Sequence, residues 1–276
     1  MTRRTALLAA VPLGAALAGL ALDRAFPPDF SRLERPAVLV EDRAGRPLAA
    51  LPAPGGVWRL STAAADVPPH LLALLVAAED ARFYHHPGID PLALGRAALQ
   101  WLRAGRVVSG GSTLSMQAAR LLEPRPRTLR SKAIEMFRAL QLEARLGKQG
   151  VLEVWLTLAP MGGNLEGVRA GALAWFGRDA RGLHPAESAL LVAIPRRPEA
   201  LRPDRHPAAA LAARDALLRV RAAGAAGVTA ADHALLATPV PTARQPMPGL
   251  APHLARQAAR AGQHRTTLDA GLQRGL

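Results

Sequence analysis

Six apolar residues, Leu71 to Val76, lead within a few positions into two adjacent carboxylates, Glu79 and Asp80. A run of that kind belongs to a helix packed into a core, so the chain around it must supply other surfaces to cover it. The two acids then stand where the buried helix should end. An acid beside an apolar helix is costly unless paired or solvated, which makes Glu79 and Asp80 candidates for acid–base work. The plainer alternative is a solvated helix end, or an ion pair with a neighbour such as Arg82.

At 276 residues the chain can hold one large domain or two small ones and bury a substantial core. Thirty-five Lys and Arg face 21 Asp and Glu, a surplus of +14. That surplus points to a polyanionic partner: nucleic acid, an anionic membrane surface or a phosphate-bearing substrate. Much of it is Arg among many Ala and Leu, a pattern that GC-rich codons also favour. The absence of cysteine excludes disulfides, thiolate metal sites and a Cys nucleophile.

Arg3 and Arg4 precede an uncharged run from Thr5 to Leu22, closed by Asp23 and Arg24. Eighteen helical residues span roughly 27 Å, close to the thickness of a bilayer's hydrocarbon layer. The leading arginines predict an inside N-terminus and an exported body. A cleaved signal peptide is the alternative, since Ala16, Ala18 and Ala21 suit a peptidase.

Further along, Phe26 to Arg35 reads as a linker. Val38–Asp42 and Pro47–Leu51 alternate around the Gly-containing turn Arg43–Arg46, a β-hairpin signal, and Val57–Leu60 offers a third short strand. The pattern is helical from Asp66 onward. Asp66 can cap a helix with Pro68 and Pro69 in its first turn, and Asp90-Pro91 starts the next, running to Gly105. A loop from Val107 to Thr113 precedes a helix from Leu114 to Leu122. Thr128 caps a long helix, Leu129 to Leu146, ended by Gly147, with an apolar stripe of Leu129, Ala133, Met136, Phe137 and Leu140. Shorter helices are expected at 151–158, 165–176, 185–194, 207–222 and 230–237, before a Pro-rich, then basic, tail.

Three places could carry chemistry besides Glu79. Gly110-Gly111-Ser112-Thr113 before a helix could present N–H groups and hydroxyls to an anion, although it lacks the Lys-Ser/Thr ending of a P-loop. A plain loop with a Thr cap is the alternative. Gln117 and Arg120 follow on one face of that helix. On the long helix Lys132 and Glu135 are three apart, with Arg130 close by. They form either a surface salt bridge or a cation for phosphate beside a second carboxylate facing Glu79. Two separated carboxylates are the machinery of sugar transfer. His85 and His86 lack metal-ligand spacing and suit a structural role in the turn.

Taken together, Glu79-Asp80-x-x-Phe83-x-x-His86-x-Gly88-x-Asp90, Gly111-Ser112-Thr113-Leu114-x-Met116-Gln117-x-x-Arg120 and Lys132-x-x-Glu135 resemble the signature motifs of peptidoglycan glycosyltransferases. These are the class A penicillin-binding proteins and monofunctional transglycosylases. Gly162-Gly163, Gly167, Ala172 and Trp175-Phe176-Gly177 look like a fourth block, and Glu187 to Pro198 like a fifth. The hairpin with Gly56-Val57-Trp58-Arg59 is similar to the start of the 1C branch. The resemblance covers roughly residues 36 to 274.

It implies a mainly α, lysozyme-like glycosyltransferase domain with a small N-terminal β-hairpin and an N-terminal transmembrane helix. Residues 1–24 would be the cytoplasmic tip and anchor, 25–65 a linker with the small β element, 66–224 the catalytic domain, and 225–276 a linker and a truncated start of a transpeptidase region. The implied reaction polymerises lipid II at the outer face of the cytoplasmic membrane. The catalytic base falls on Glu79, which takes the proton of the acceptor's GlcNAc 4-hydroxyl. That oxygen attacks MurNAc C1 with inversion, and undecaprenyl pyrophosphate leaves. Glu135 matches the second carboxylate, with Mg2+ or Mn2+ a candidate helper at undefined ligands and no organic cofactor. Asp80, Phe83, His86, Ser112, Thr113, Gln117, Arg120, Arg130 and Lys132 match or adjoin positions lining the donor and acceptor sites.

Implied partners are lipid II, the growing glycan strand, the membrane and other wall-synthesis proteins, not nucleic acid. Ser131 stands where many members have Arg, leaving Arg130 or Arg127 to supply that charge, and Thr157 replaces a usual Asn. No Ser-x-x-Lys is present, so no acylation by penicillin is expected. A lytic lysozyme-like glycosidase and a non-catalytic membrane scaffold are the competing readings. Lys132 and Arg120, suited to a pyrophosphate, favour synthesis over the first, and retention of both carboxylates argues against the second.

Overall fold

A computed structural model of the chain describes residues 19–105, 111–224, 230–260 and 264–275. Most of these residues are helical, with two small two-stranded sheets. The expected membrane helix falls largely outside them. Residues 19–25 are helical, and among the described residues no helix is long and apolar enough to cross a membrane.

The stretch expected to be a linker is instead docked. Asp29 accepts from the Ser31 amide at 2.8 Å and starts a one-turn helix, α1 (Ser31–Glu34). Its Arg32 pairs with Glu166 at 2.7 Å, and Glu166 also receives Arg59 at 2.6 Å. The hairpin forms as expected, from β1 (Val38–Glu41) and antiparallel β2 (Pro47–Leu51). Asp42 shapes its turn by accepting from the Ala44 and Arg46 amides and from Arg46 Nε. Register slips between Val40 and Glu41, leaving Leu48 as the extra residue of a bulge. The third strand, β3 (Trp58–Arg59), does not join the hairpin. It pairs in parallel with β4 (Leu165–Glu166), where a helix start is expected from sequence.

Helix α2 (Pro69–Glu79) buries Leu71, Leu74 and Leu75. Asp66 does not cap it: that residue ends a 3₁₀ turn and accepts from the Ala63 amide. Asp90 accepts from the Leu92 and Ala93 amides and so caps α3 (Pro91–Ala104). Thr113 caps α4 (Leu114–Leu122), and Thr128 caps α5 (Leu129–Leu158). The two helices expected on either side of Gly147 meet there at a kink, since Gly147 adopts the non-helical φ 63°, ψ −175°.

The inward face of α5 is not the apolar stripe. Leu129 is 91% exposed, Leu140 is exposed, and Met136 and Phe137 are only half-buried. Ser131, Glu135, Ala139 and Leu142 point in instead. A glutamate can do so because Lys132 pairs with it. Helices α6 (Val168–Phe176), α7 (Pro185–Ala193), α8 (Pro207–Gly224) and α9 (Ala230–Ala237) follow. The main core joins Leu71, Phe83, Leu114, Trp155, Trp175 and Leu191 across five helices and the turn at Phe83.

The tail is structured too, with α10 (Pro252–Arg260) and α11 (Ala270–Gly275). Leu39 and Ala50 of the hairpin pack on Ala170 and Leu173 of α6. Val40, Leu48 and Ala49 pack on Ala255, Ala258 and Ala270 of the tail. The hairpin is therefore covered on both faces, which suits its nearly continuous apolar strands. Segments 25–65 and 225–276, separate in the division expected from sequence, share this small core.

Candidate active site

Glu79 is the last residue of α2, and its side chain is 15% exposed. Both carboxylate oxygens are engaged. Oε2 accepts from Gln117 Nε2 of α4 at 2.9 Å, and Oε1 accepts from Arg196 Nε at 2.7 Å. Gln117 Oε1 in turn accepts from Trp155 Nε1 at 3.1 Å. A Trp N–H can only donate, so it fixes the Gln117 amide with its nitrogen toward Glu79. Arg196 closes a 3₁₀ turn, Ile194–Arg196, after α7. Arg82, the expected neighbour for these acids, pairs with Asp90 at 3.4 Å instead. Arg196 and Trp155 are absent from the residues singled out by sequence, since their link to Glu79 exists only after folding.

Asp80 turns the other way, into the protein. It accepts from His86 Nε2 at 3.1 Å and from the Leu114 amide at 2.9 Å, and it is buried. His86 Nδ1 accepts from the Gly88 amide at 3.2 Å, so the proton facing Asp80 sits on Nε2. Thr113 donates to the Gly88 carbonyl at 2.6 Å and accepts from the Met116 amide. The start of α4, which the sequence offers to an anion, thus spends these two amides on the chain's own oxygens. Phe83 is fully buried, with Lys148 Nζ 4.3 Å from its ring centre. Lys148 also donates to the His86 carbonyl and to Glu143, whose carboxylate receives Ser115. Asp80, Phe83, His86 and Thr113 are all buried, and hydrogen bonds of Asp80, His86 and Thr113 tie the turn at His86 to the start of α4. Burial pushes the Asp90 carboxyl up, but the Ala93 and Leu92 amides, Arg82 and His86 together hold it below its usual value.

The second carboxylate, Glu135, is buried and pairs with Lys132 at 3.2 Å. Lys132 also donates to Ser112 Oγ, just ahead of α4. Glu79 is therefore tethered to α4 through Gln117, and Glu135 through Lys132 to Ser112 in the segment leading into that helix. Arg120 is half-buried and Arg130 exposed, and neither has a hydrogen bond or ion pair among the described residues. Ser131 is buried, its amide donating to Thr128 Oγ1 and its hydroxyl bonded to the same atom, so it completes the cap that Thr128 makes and brings no charge. Thr157 accepts from the Thr62 amide at 3.0 Å. Among the described residues no three His, Asp or Glu side chains gather to hold a metal, and Glu135 already carries a cation. A divalent ion there would rest on Glu135 and on phosphates of the substrate.

A family model described as Transglycosylase matches residues 45–221. The chain is 40% identical over 272 residues to penicillin-binding protein 1C of Escherichia coli (strain K12), covering 98% of this chain and 35% of that protein. It is 40% identical over 154 residues to penicillin-binding protein 1A of Aquifex aeolicus (strain VF5), covering 55% and 21%. It therefore spans only about a third or less of the length of these relatives. A crystal structure of penicillin-binding protein 1A from Haemophilus influenzae aligns with TM-score 0.41 and 15% identity over 82% of this chain and 24% of that one, too distant to bear on the fold.

Proposed function

The chain belongs to the transglycosylase family, and from that premise we propose that it is a peptidoglycan glycosyltransferase that polymerises lipid II. The two tethers around the start of α4 carry the reading. A carboxylate with little exposure, Glu79, is bonded to Gln117 in the helix's first half, and a cation–carboxylate pair, Lys132 and Glu135, is bonded through Lys132 to Ser112, two residues before the helix begins.

Glu79 takes the proton from the 4-hydroxyl of the acceptor GlcNAc. That oxygen forms the new bond to C1 of the donor MurNAc with inversion, as the bond from C1 to the pyrophosphate oxygen breaks. A neutral hydroxyl needs such a base within hydrogen-bond reach. The departing undecaprenyl pyrophosphate carries new negative charge, which Lys132, Arg120 and Arg130 are suited to stabilise with the Ser112 hydroxyl. Glu135 keeps Lys132 in place on that side. Asp80, His86 and Thr113 hold the turn at His86 to the start of α4, with Phe83 buried in that turn. A membrane-bound donor places the reaction at the outer face of the cytoplasmic membrane, where the basic surplus suits an anionic leaflet.

The test is radiolabelled lipid II with detergent-solubilised chain, products separated by size. Glu79→Gln is expected to abolish polymer while the circular dichroism spectrum and melting temperature stay near wild type. Near-normal polymerisation by that variant would overturn the assignment of the base.

A further inference from the structure

The two hydrogen bonds on Glu79 differ in kind. The bond to Gln117 is the end of a rigid chain, since the amide is oriented by Trp155, which is 1% exposed. The bond to Arg196 comes from a side chain that is 44% exposed, at the end of a short turn 117 residues away in sequence. Arg196 Nη2 reaches the Ala78 carbonyl at 3.3 Å, so the guanidinium grips both the side chain and the backbone of the helix end. Its Nη1 makes no hydrogen bond among the described residues. An exposed ion pair alone contributes little. This one is different because its acid is mostly covered and has a second, rigid partner.

We propose that Arg196 is a positioning residue for the sugar-transfer step: it holds the Glu79 carboxylate in one rotamer against the fixed amide of Gln117. The inference rests on Glu79 being the base. A carboxylate held from one side by an immobile donor still rotates about its side-chain torsions. A second donor from a different element removes that freedom and leaves each oxygen a further lone pair for the acceptor hydroxyl. Arginine suits the task better than lysine, because its planar fork reaches the carboxylate through Nε and the carbonyl through Nη2 at once.

The experiment compares the full-length wild type with Arg196→Gln and Arg196→Lys in the lipid II assay. Loss of a charge-assisted hydrogen bond predicts that Arg196→Gln lowers kcat by roughly 10- to 100-fold with KM for lipid II little changed. Arg196→Lys recovers part of that loss, since charge returns without the fork. A rise in KM at constant kcat would make Arg196 a substrate contact and overturn the proposal, as would unchanged kinetics. A second readout needs no turnover. In Arg196→Gln, Glu79 should be modified faster by a water-soluble carbodiimide and an amine, measured by peptide mass spectrometry, while exposed Glu34 keeps its rate. Equal labelling of Glu79 in variant and wild type would overturn the proposal even if the chain makes no polymer. Faster labelling without polymer in any protein would leave the ion pair standing and sink the assignment of the base.

Discussion

Gln117 shows how little of a site's geometry lies in the residues that sequence marks out. Its position after Gly111-Ser112-Thr113 is legible as part of a motif. What makes it useful is Trp155, on a different helix, whose indole N–H decides which end of the amide meets Glu79. Trp155→Phe keeps most of the packing and deletes that donor. The expected outcome is about a tenfold lower kcat, with a stability loss of roughly 1–2 kcal/mol from the smaller ring. The check is steady-state polymerisation beside a denaturant melt, and full activity at reduced stability would remove Trp155 from the orienting chain. Glu79, Lys132 and Glu135 were legible because their spacing in sequence is part of the signal. Arg196 was not, because only folding carries it to Glu79.

Among the elements, three of the helix starts follow from local contacts as expected, while Asp66 bonds back to Ala63 and leaves α2 without a side-chain cap. Asp90, Thr113 and Thr128 each cap the helix expected of them, since a cap is a hydrogen bond spanning two or three residues. The other errors concern partners far away: β3 pairs with β4 instead of the hairpin, and α5 turns a polar face inward. Position 88 links two elements. A Cβ at Gly88 would stand 2.7 Å from the Ala139 carbonyl of α5, and its φ of 103° is one that L side chains rarely adopt. The turn that carries His86 can therefore lie against α5 only with glycine there. Gly88→Ala is expected to cost about 1–3 kcal/mol and to lower activity further than the stability loss alone explains, because Asp80 and His86 shift with the turn. Thermal melts and activity at a temperature well below the transition separate the two effects.

At the scale of the whole molecule, the hairpin and tail are joined through one buried acid. Burial alone would push the Asp42 carboxyl up. The amides of Ala270, Arg46 and Ala44, with the Arg46 guanidinium, outweigh it and hold the group well below its usual 3.8. A carboxyl depressed in the folded state stabilises the fold above its ordinary value and loses that contribution as pH falls below it. The melting temperature should therefore fall as pH drops from about 5 toward 3. Asp42→Asn should be less stable at neutral pH and lose less on acidification. A variant that follows the wild-type pH curve would show that other acids dominate.

The same contact sets an order of events for a chain made from its front end. Asp42 receives the Ala270 amide across 228 positions. At ribosomal speeds of about 5–20 residues per second, the hairpin waits roughly 10–50 s for the segment that covers its second face. Closing so long a loop adds only modestly to the entropic cost, because that cost grows with the logarithm of length. The wait itself is the hazard: until the rear arrives, Val40, Leu48 and Ala49 offer an uncovered apolar strand pair to any neighbour. The hairpin and the segment from Ala255 to Ala270 therefore complete their shared core together, late, and neither is finished without the other.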